Sequence, residues 1–167
     1  EAIAAVAYEL WAQKGYDGAS MLSIAKAAKA SNETLYRWYG DKRGLFEALV
    51  RDNTAHVEAE LKRAAGEGAG PMETLEQIAP VLLAMLLGKR AVLLNRAAAA
   101  EPSGELGGAL SAGGRDVVQP LLTEVITQLD TKAPAAMLTQ AFVGLLVGDQ
   151  QIKRVIGVMP EPSADEI

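Results

Sequence analysis

Ser20-Met21-Leu22-Ser23-Ile24-Ala25-Lys26-Ala27-Ala28 is followed by Lys29-Ala30-Ser31 and then by Asn32-Glu33-Thr34-Leu35-Tyr36-Arg37-Trp38-Tyr39-Gly40-Asp41. Ser20 has the side chain of an N-cap, which predicts a short helix over residues 21–28 with Ile24, Ala25 and Ala28 on one inward face. Ser31 is a second N-cap candidate. Asn32 and Glu33 suit the first turn of another helix, which Leu35 anchors inward and Gly40 stops near Tyr39. Two short helices joined by a three-residue turn bury little apolar surface by themselves, so they need longer helices on either side.

Both flanks supply one. Ile3, Val6, Ala7, Leu10 and Trp11 recur at three- and four-residue spacing and predict a first helix that Gly15 ends. Asp41 is positioned to cap a fourth helix. It has no breaker from Lys42 to Ala65 except Gly44 in its first turn, and a helix of that length bridges two parts of a molecule. Gly66-Glu67-Gly68-Ala69-Gly70-Pro71 then predicts a linker. Beyond it the pattern predicts helices over 72–87, with a kink at Pro80, over 90–101, over a glycine-broken piece at 105–112, over 115–130, and over 134–158 with Pro134 in the first turn. The expected class is all-α, with an N-terminal unit over residues 1–45 and a helical unit over 46–167.

Composition agrees. Of 167 residues, 30 are Ala and 21 Leu, both strong helix formers. There is no cysteine, which excludes disulfides, thiolate metal sites and cysteine nucleophiles and fits a reducing, cytoplasmic setting. The longest purely apolar run, Val81 to Leu87, is too short to span a bilayer, so no membrane partner is expected. His56 is the sole histidine, the carboxylates are scattered, and no glycine-rich phosphate loop is present. The expectation is therefore no enzyme and no cofactor or metal.

The net charge of −5 argues against general coating by nucleic acid. Within residues 20–45, however, Lys26, Lys29, Arg37, Lys42 and Arg43 outweigh Glu33 and Asp41, which makes a small basic island. The helix after the turn carries residue types suited to a duplex. Asn32 can read adenine, Glu33 can accept from cytosine, and Thr34 can touch a thymine methyl. Tyr36, Arg37 and Trp38 offer donors to phosphate. Ser20, Ser31 and Lys42 complete a candidate DNA-binding set that grips the backbone on either side.

The run Gly15-Tyr16, Ala19-Ser20-Met21, Ile24-Ala25, Ala28, then Ser31, Thr34-Leu35-Tyr36, Trp38-Tyr39, Asp41-Lys42 and Leu45-Phe46 resembles the TetR family of bacterial transcription regulators over roughly residues 1–50. The resemblance implies an all-helical homodimer whose N-terminal helices bind an operator in double-stranded DNA. Its C-terminal unit would hold a small-molecule effector and the dimer interface. It places Ser20, Tyr36, Trp38 and Lys42 on phosphate-contacting positions, Asn32, Glu33 and Thr34 on base-reading positions, and Ile24, Ala25, Ala28, Leu35, Tyr39 and Phe46 in the core. The chain departs from the pattern in the turn, where Lys29-Ala30-Ser31 stands for the usual Gly-Val-Ser, and at two aromatic positions. Lys29 stands where the turn usually has glycine, Trp38 where Tyr or His is commoner, and Tyr39 where Phe is commoner.

In the C-terminal half, Leu75, Ile78, Leu82, Met85, Leu86 and Leu93 are candidates to line an effector pocket, with Arg96 or Glu101 as polar anchor. Leu121, Leu122, Val125, Leu138, Phe142, Leu145 and Ile152, on the last two helices, are candidates for a dimer interface, and Gly144 and Gly148 would let helices approach closely. The reading is a repressor that binds a palindromic operator as a dimer and is released by a small hydrophobic effector. The alternative is a helical dimer that binds no DNA and serves as a ligand carrier or interaction module.

Overall fold

The computed structural model describes residues 2–167, apart from the Ala164 side chain; Glu1, where the expected N-terminal unit begins, lies outside the described residues. The described residues form helices α1 (Ala2–Gly18), α2 (Met21–Ala27), α3 (Asn32–Tyr39), α4 (Lys42–Glu67), α5 (Pro71–Leu87), α6 (Lys89–Ala100), α7 (Glu105–Leu110), α8 (Asp116–Thr127), α9 (Ala135–Val147) and α10 (Gln150–Ile156). A π-helical turn, Ser111–Arg115, joins α7 to α8, and a 3-10 turn lies at Ala164–Glu166. No strand occurs among the described residues. No single helix among them is long and apolar enough to cross a membrane.

Local chemistry explains the N-terminal boundaries. α1 is broken at Gly15, whose φ of 72° lies in the left-handed region that favours glycine, and one further turn carries the chain to Gly18. The Ser20 hydroxyl accepts from the Ser23 amide at 3.1 Å, while Ser23 Oγ accepts from the Ser20 amide at 3.0 Å. These two bonds satisfy donors that the first turn of α2 leaves orphaned. Asp41 does the same for α4, accepting from the Gly44 amide at 2.7 Å. Gly44 has a second role: a Cβ there would lie 1.9 Å from the Tyr39 carbonyl oxygen, so only glycine lets α4 start against the end of α3.

Two hydrophobic cores share α4. The first gathers Ile3, Ala7, Tyr8 and Trp11 of α1, Met21, Ile24 and Ala25 of α2, Leu35 of α3 and Leu45, Phe46, Leu49 and Val50 of α4. Leu93, Leu94 and Ala97 of α6 and Leu106 of α7 close it, so the N-terminal unit is clamped to the rest by apolar packing. The second core joins Val57 and Leu61 of α4 to Leu75, Ile78 and Leu82 of α5 and Val118, Leu122, Val125 and Ile126 of α8. At 26 residues, α4 is about 39 Å long and runs from one core into the other.

Several boundaries differ from the sequence reading. The linker is shorter than expected, because α4 continues to Glu67 before Gly68 caps it in a left-handed conformation and Gly70 starts α5. Pro134 is the N-cap of α9 and lies outside its first turn. The glycine-broken piece is part of a continuous run from Glu105 to Thr127, because a π turn admits the extra residue without ending the helix. There Gly113 lies against α4, where a Cβ would come 2.8 Å from Val50 Cγ1. The final helix is two helices, split where Gly148 takes φ 51° and ψ −131°. Gly148 therefore breaks the chain direction and does not serve as a close-approach site.

Candidate functional site

The turn between α2 and α3 ends α2 with two bonds: the Ala30 amide donates to the Ala25 carbonyl at 3.0 Å, and the Lys29 amide to that of Lys26 at 3.3 Å. This is the Schellman arrangement, which requires a left-handed residue between α2 and Ala30. Lys29 fills that place with φ 52°, as the only non-glycine residue with positive φ among those described. α3 then starts under Ser31, whose Oγ accepts from the Thr34 amide at 3.0 Å and also pairs with Thr34 Oγ1 at 2.8 Å. Ser31 and Thr34 are thus partly engaged in capping. Asn32 and Glu33 project from the first turn as exposed side chains.

Leu35 is fully buried and fixes the rotation of α3. That rotation turns Tyr36, Arg37 and Trp38 outward; Tyr36 is 48% and Trp38 60% exposed. A place in the core would account for neither value, since of the three α3 aromatics only Tyr39 packs against it, half-buried. Trp38 meets the Tyr39 ring edge-on, with centroids 6.4 Å apart, and this holds the exposed indole in place.

The basic island is smaller than the sequence count. Arg43 is engaged by Glu47 at 3.0 Å and by Glu105 of α7 at 3.2 Å, so its charge ties α4 to the C-terminal half. Lys42 is half-buried, with its ammonium 4.1 Å from the centre of the Tyr16 ring. Burial pushes its pKa below the ordinary value. Lys26, Lys29 and Arg37 are exposed and form no ion pair among the described residues.

A second feature lies in the C-terminal half. A cavity of about 680 Å³ opens between α4, α5, α6, the α7–α8 run and α9. Leu82, Met85 and Leu86 line it. The other expected pocket residues do not. Leu75 and Ile78 are packed in the second core, and Leu93 in the first, because the buried stripes of α5 and α6 hold the helices together there. Arg96 donates to the Val155 carbonyl at 2.6 Å and to the Arg154 carbonyl at 3.2 Å, which satisfies the end of α10. Glu101 accepts from the Ser103 and Leu106 amides and is occupied at the start of α7. The polar lining that the sequence reading missed includes Asn53, Asn95, Arg115, Gln119, Gln140 and Gln151. Its signal was legible on α9, where Gln140 interrupts an otherwise apolar helix, and not on α4, where Asn53 stands among charged residues.

Residues 3–49 match the family described as bacterial regulatory proteins, tetR family. The likeness to the TetR family rests on this N-terminal segment. The match covers α1 to α3 and the start of α4, the segment in which Leu35 and the three N-caps set the geometry of α3. Solved structures extend the likeness to the whole fold. A TetR-family transcriptional regulator from Mesorhizobium loti superposes with a TM-score of 0.76 at 23% identity, covering 99% of this chain and 87% of that one. FadR from Bacillus subtilis, in complex with stearoyl-CoA, gives 0.76 at 15% identity over 96% and 89%. The fatty acid degradation regulator FadR from Bacillus halodurans gives 0.78 at 16% over 96% and 89%. No curated protein matches the sequence.

The residues expected at a dimer interface divide by burial. Leu122 is fully buried and Val125 nearly so within a single chain, so they hold α8 in the second core and offer no surface to a partner. Leu121, Leu138 and Phe142 are half-buried against the same core. Leu145 and Ile152 project outward, 87% and 56% exposed, with Met137, Ile156 and Val158 also exposed. Gly144, expected to ease helix approach, lies on the cavity lining.

Proposed function

We propose that the protein is a ligand-responsive transcription repressor, which binds a palindromic operator as a homodimer and leaves it when a small hydrophobic effector enters the C-terminal cavity. The observation that carries this reading is the outward face of α3. Asn32, Glu33, Tyr36, Arg37 and Trp38 are exposed together, while Leu35 between them is fully buried. A short helix with one buried anchor and an exposed row of base- and phosphate-competent side chains has the form of a recognition helix entering a major groove. Tyr36 and Lys42 would contact phosphates on all sequences, and Asn32, Glu33 and Thr34 would read bases. Ser20 would contribute both its hydroxyl and the amide end of α2.

The exposed apolar residues of α9 and α10 support self-association. Leu145 of α9, Ile152 and Ile156 of α10 and Val158 just beyond it are exposed apolar side chains that a second copy would cover. The cavity volume lies within the roughly 300–1,000 Å³ usual for small-molecule sites. Among the structural relatives, one is in complex with stearoyl-CoA and another is called a flavonoid-responsive regulator, which supports a hydrophobic effector here. Nothing in this function requires catalysis. Titration of the DNA flanking its own gene with purified protein tests the reading. Saturable, salt-sensitive binding that is lost on Tyr36→Ala is expected; equal, non-saturable behaviour of both proteins overturns it.

A further inference from the structure

We propose that Arg115 is an anion anchor, so that the cavity takes an amphipathic anion: an apolar body carrying a carboxylate or phosphate head. This rests on the effector-cavity reading above and specifies the chemistry of its ligand. The first observation is the charge of the wall. Among the residues lining the cavity, Arg115 is the only charged one; there is no Asp or Glu, and the remaining polar groups are neutral amides and hydroxyls. The floor contributed by Leu82, Met85, Leu86, Leu94, Val118 and Leu122 is apolar.

The second observation is that the guanidinium is unspent. Every other arginine that lines or borders α5, α6 and α10 is engaged: Arg90 with Asp52, Arg96 with carbonyls of α10, and Arg154 with the Leu87 carbonyl and Glu161. Arg115 forms no ion pair or hydrogen bond among the described residues. The nearest carboxylate along the chain, Asp116, accepts instead from Ser111 Oγ at 3.2 Å. An exposed arginine fork with no carboxylate partner, on a cavity wall that carries no acid, presents paired donors suited to a carboxylate or phosphate.

The third observation is local shape. Arg115 ends the π turn, and the inserted residue re-aims the side chains that follow it. Gly107 and Gly114 also line the cavity, and a Cβ on either would meet nothing within 4 Å. The two glycines therefore leave the cavity wall open on the α7–α8 run that carries Arg115, which gives room for a head group. A neutral ligand of equal length would gain the apolar floor and from Arg115 only a weaker hydrogen bond without the ion pair.

The test measures binding of dodecanoate, dodecyl phosphate and dodecanol, each below its micelle concentration, to the full chain. The wild type should bind one or both anions at least about tenfold tighter than the alcohol. Arg115→Gln should bring all three within about twofold of each other, and Arg115→Lys should retain a preference for anions. The tighter of the two anions identifies the head group. Alcohol bound as well as the anions by the wild type, or an anion preference that survives Arg115→Gln, overturns the anchor and leaves the cavity reading standing. If none of the three binds, the cavity reading itself fails and the anchor with it.

Discussion

Lys42 Nζ lies 4.1 Å from the centre of the Tyr16 ring. The ring is itself wedged among aromatic neighbours, 5.2 Å from Trp11 and 5.9 Å from Phe46 between centroids. The first core thus holds a cation at the head of α4, beside α3. Lys42→Ala should weaken binding to specific and random duplexes by a similar factor and flatten the dependence of log affinity on log salt by about one unit. Anisotropy titrations at several salt concentrations measure both.

Tyr16 gives a pH signature. Burial, aided by the Asp41 carboxylate, pushes its phenol up to about 12 from an ordinary 10.0. The Tyr8 phenol, buried and donating to the Leu49 carbonyl at 3.3 Å, is shifted in the same direction. A raised folded-state pKa means that the unfolded chain loses its proton first. The stabilisation is therefore whole below 10 and is lost as pH climbs from there through the folded value near 12. Tyr16→Phe keeps the ring under Lys42 and should make denaturant midpoints fall less steeply above pH 10.

Lys29 occupies a left-handed position at φ 52°. Glycine there would relieve strain but would also be freer in the unfolded chain, so Lys29→Gly should raise stability by about 0.5–1 kcal/mol. The same change removes an exposed cation beside α3. If Lys29 faces a phosphate, affinity should fall as stability rises. Paired urea melts and DNA titrations of this one variant read the two effects separately.

Leu122 and Leu145 belong to neighbouring helices with opposite exposures, fully buried against 87%. Leu122→Ala should cost about 2–5 kcal/mol of stability through the cavity it leaves. Leu145→Glu should leave the melting of the isolated chain nearly unchanged and shift sedimentation toward the single-chain species. A Leu145→Glu protein that stays dimeric at micromolar concentration removes α9 from the interface.

These two leucines also show what the sequence made legible. Ser20, Ser31 and Asp41 announced their helices through capping chemistry, a signal that acts within four residues and needs no knowledge of distant partners. The outward row on α3 followed from the same local logic, since Leu35 alone needed burying. Helical periodicity in α8 and α9 showed which faces are apolar, but it carries no information on whether the covering surface is in the same chain, so Leu122 and Leu145 read alike. Arg96 read as a free cation because the carbonyls it satisfies are nearly sixty residues further along. The piece at 105–112 read as separate from the helix over 115–130, although a π turn joins the two.

Selection of bound duplexes from a random library by the full chain is the most direct test of the central claim, that α3 is presented twice, in fixed register, to one DNA. The account predicts a two-fold symmetric consensus whose half-sites lie one helical turn apart, about 34–36 Å, or a multiple of it. It also predicts that Asn32→Ala changes the preferred base at one position in each half. A pool with no enrichment, or a single asymmetric site unaltered by Asn32→Ala, contradicts it.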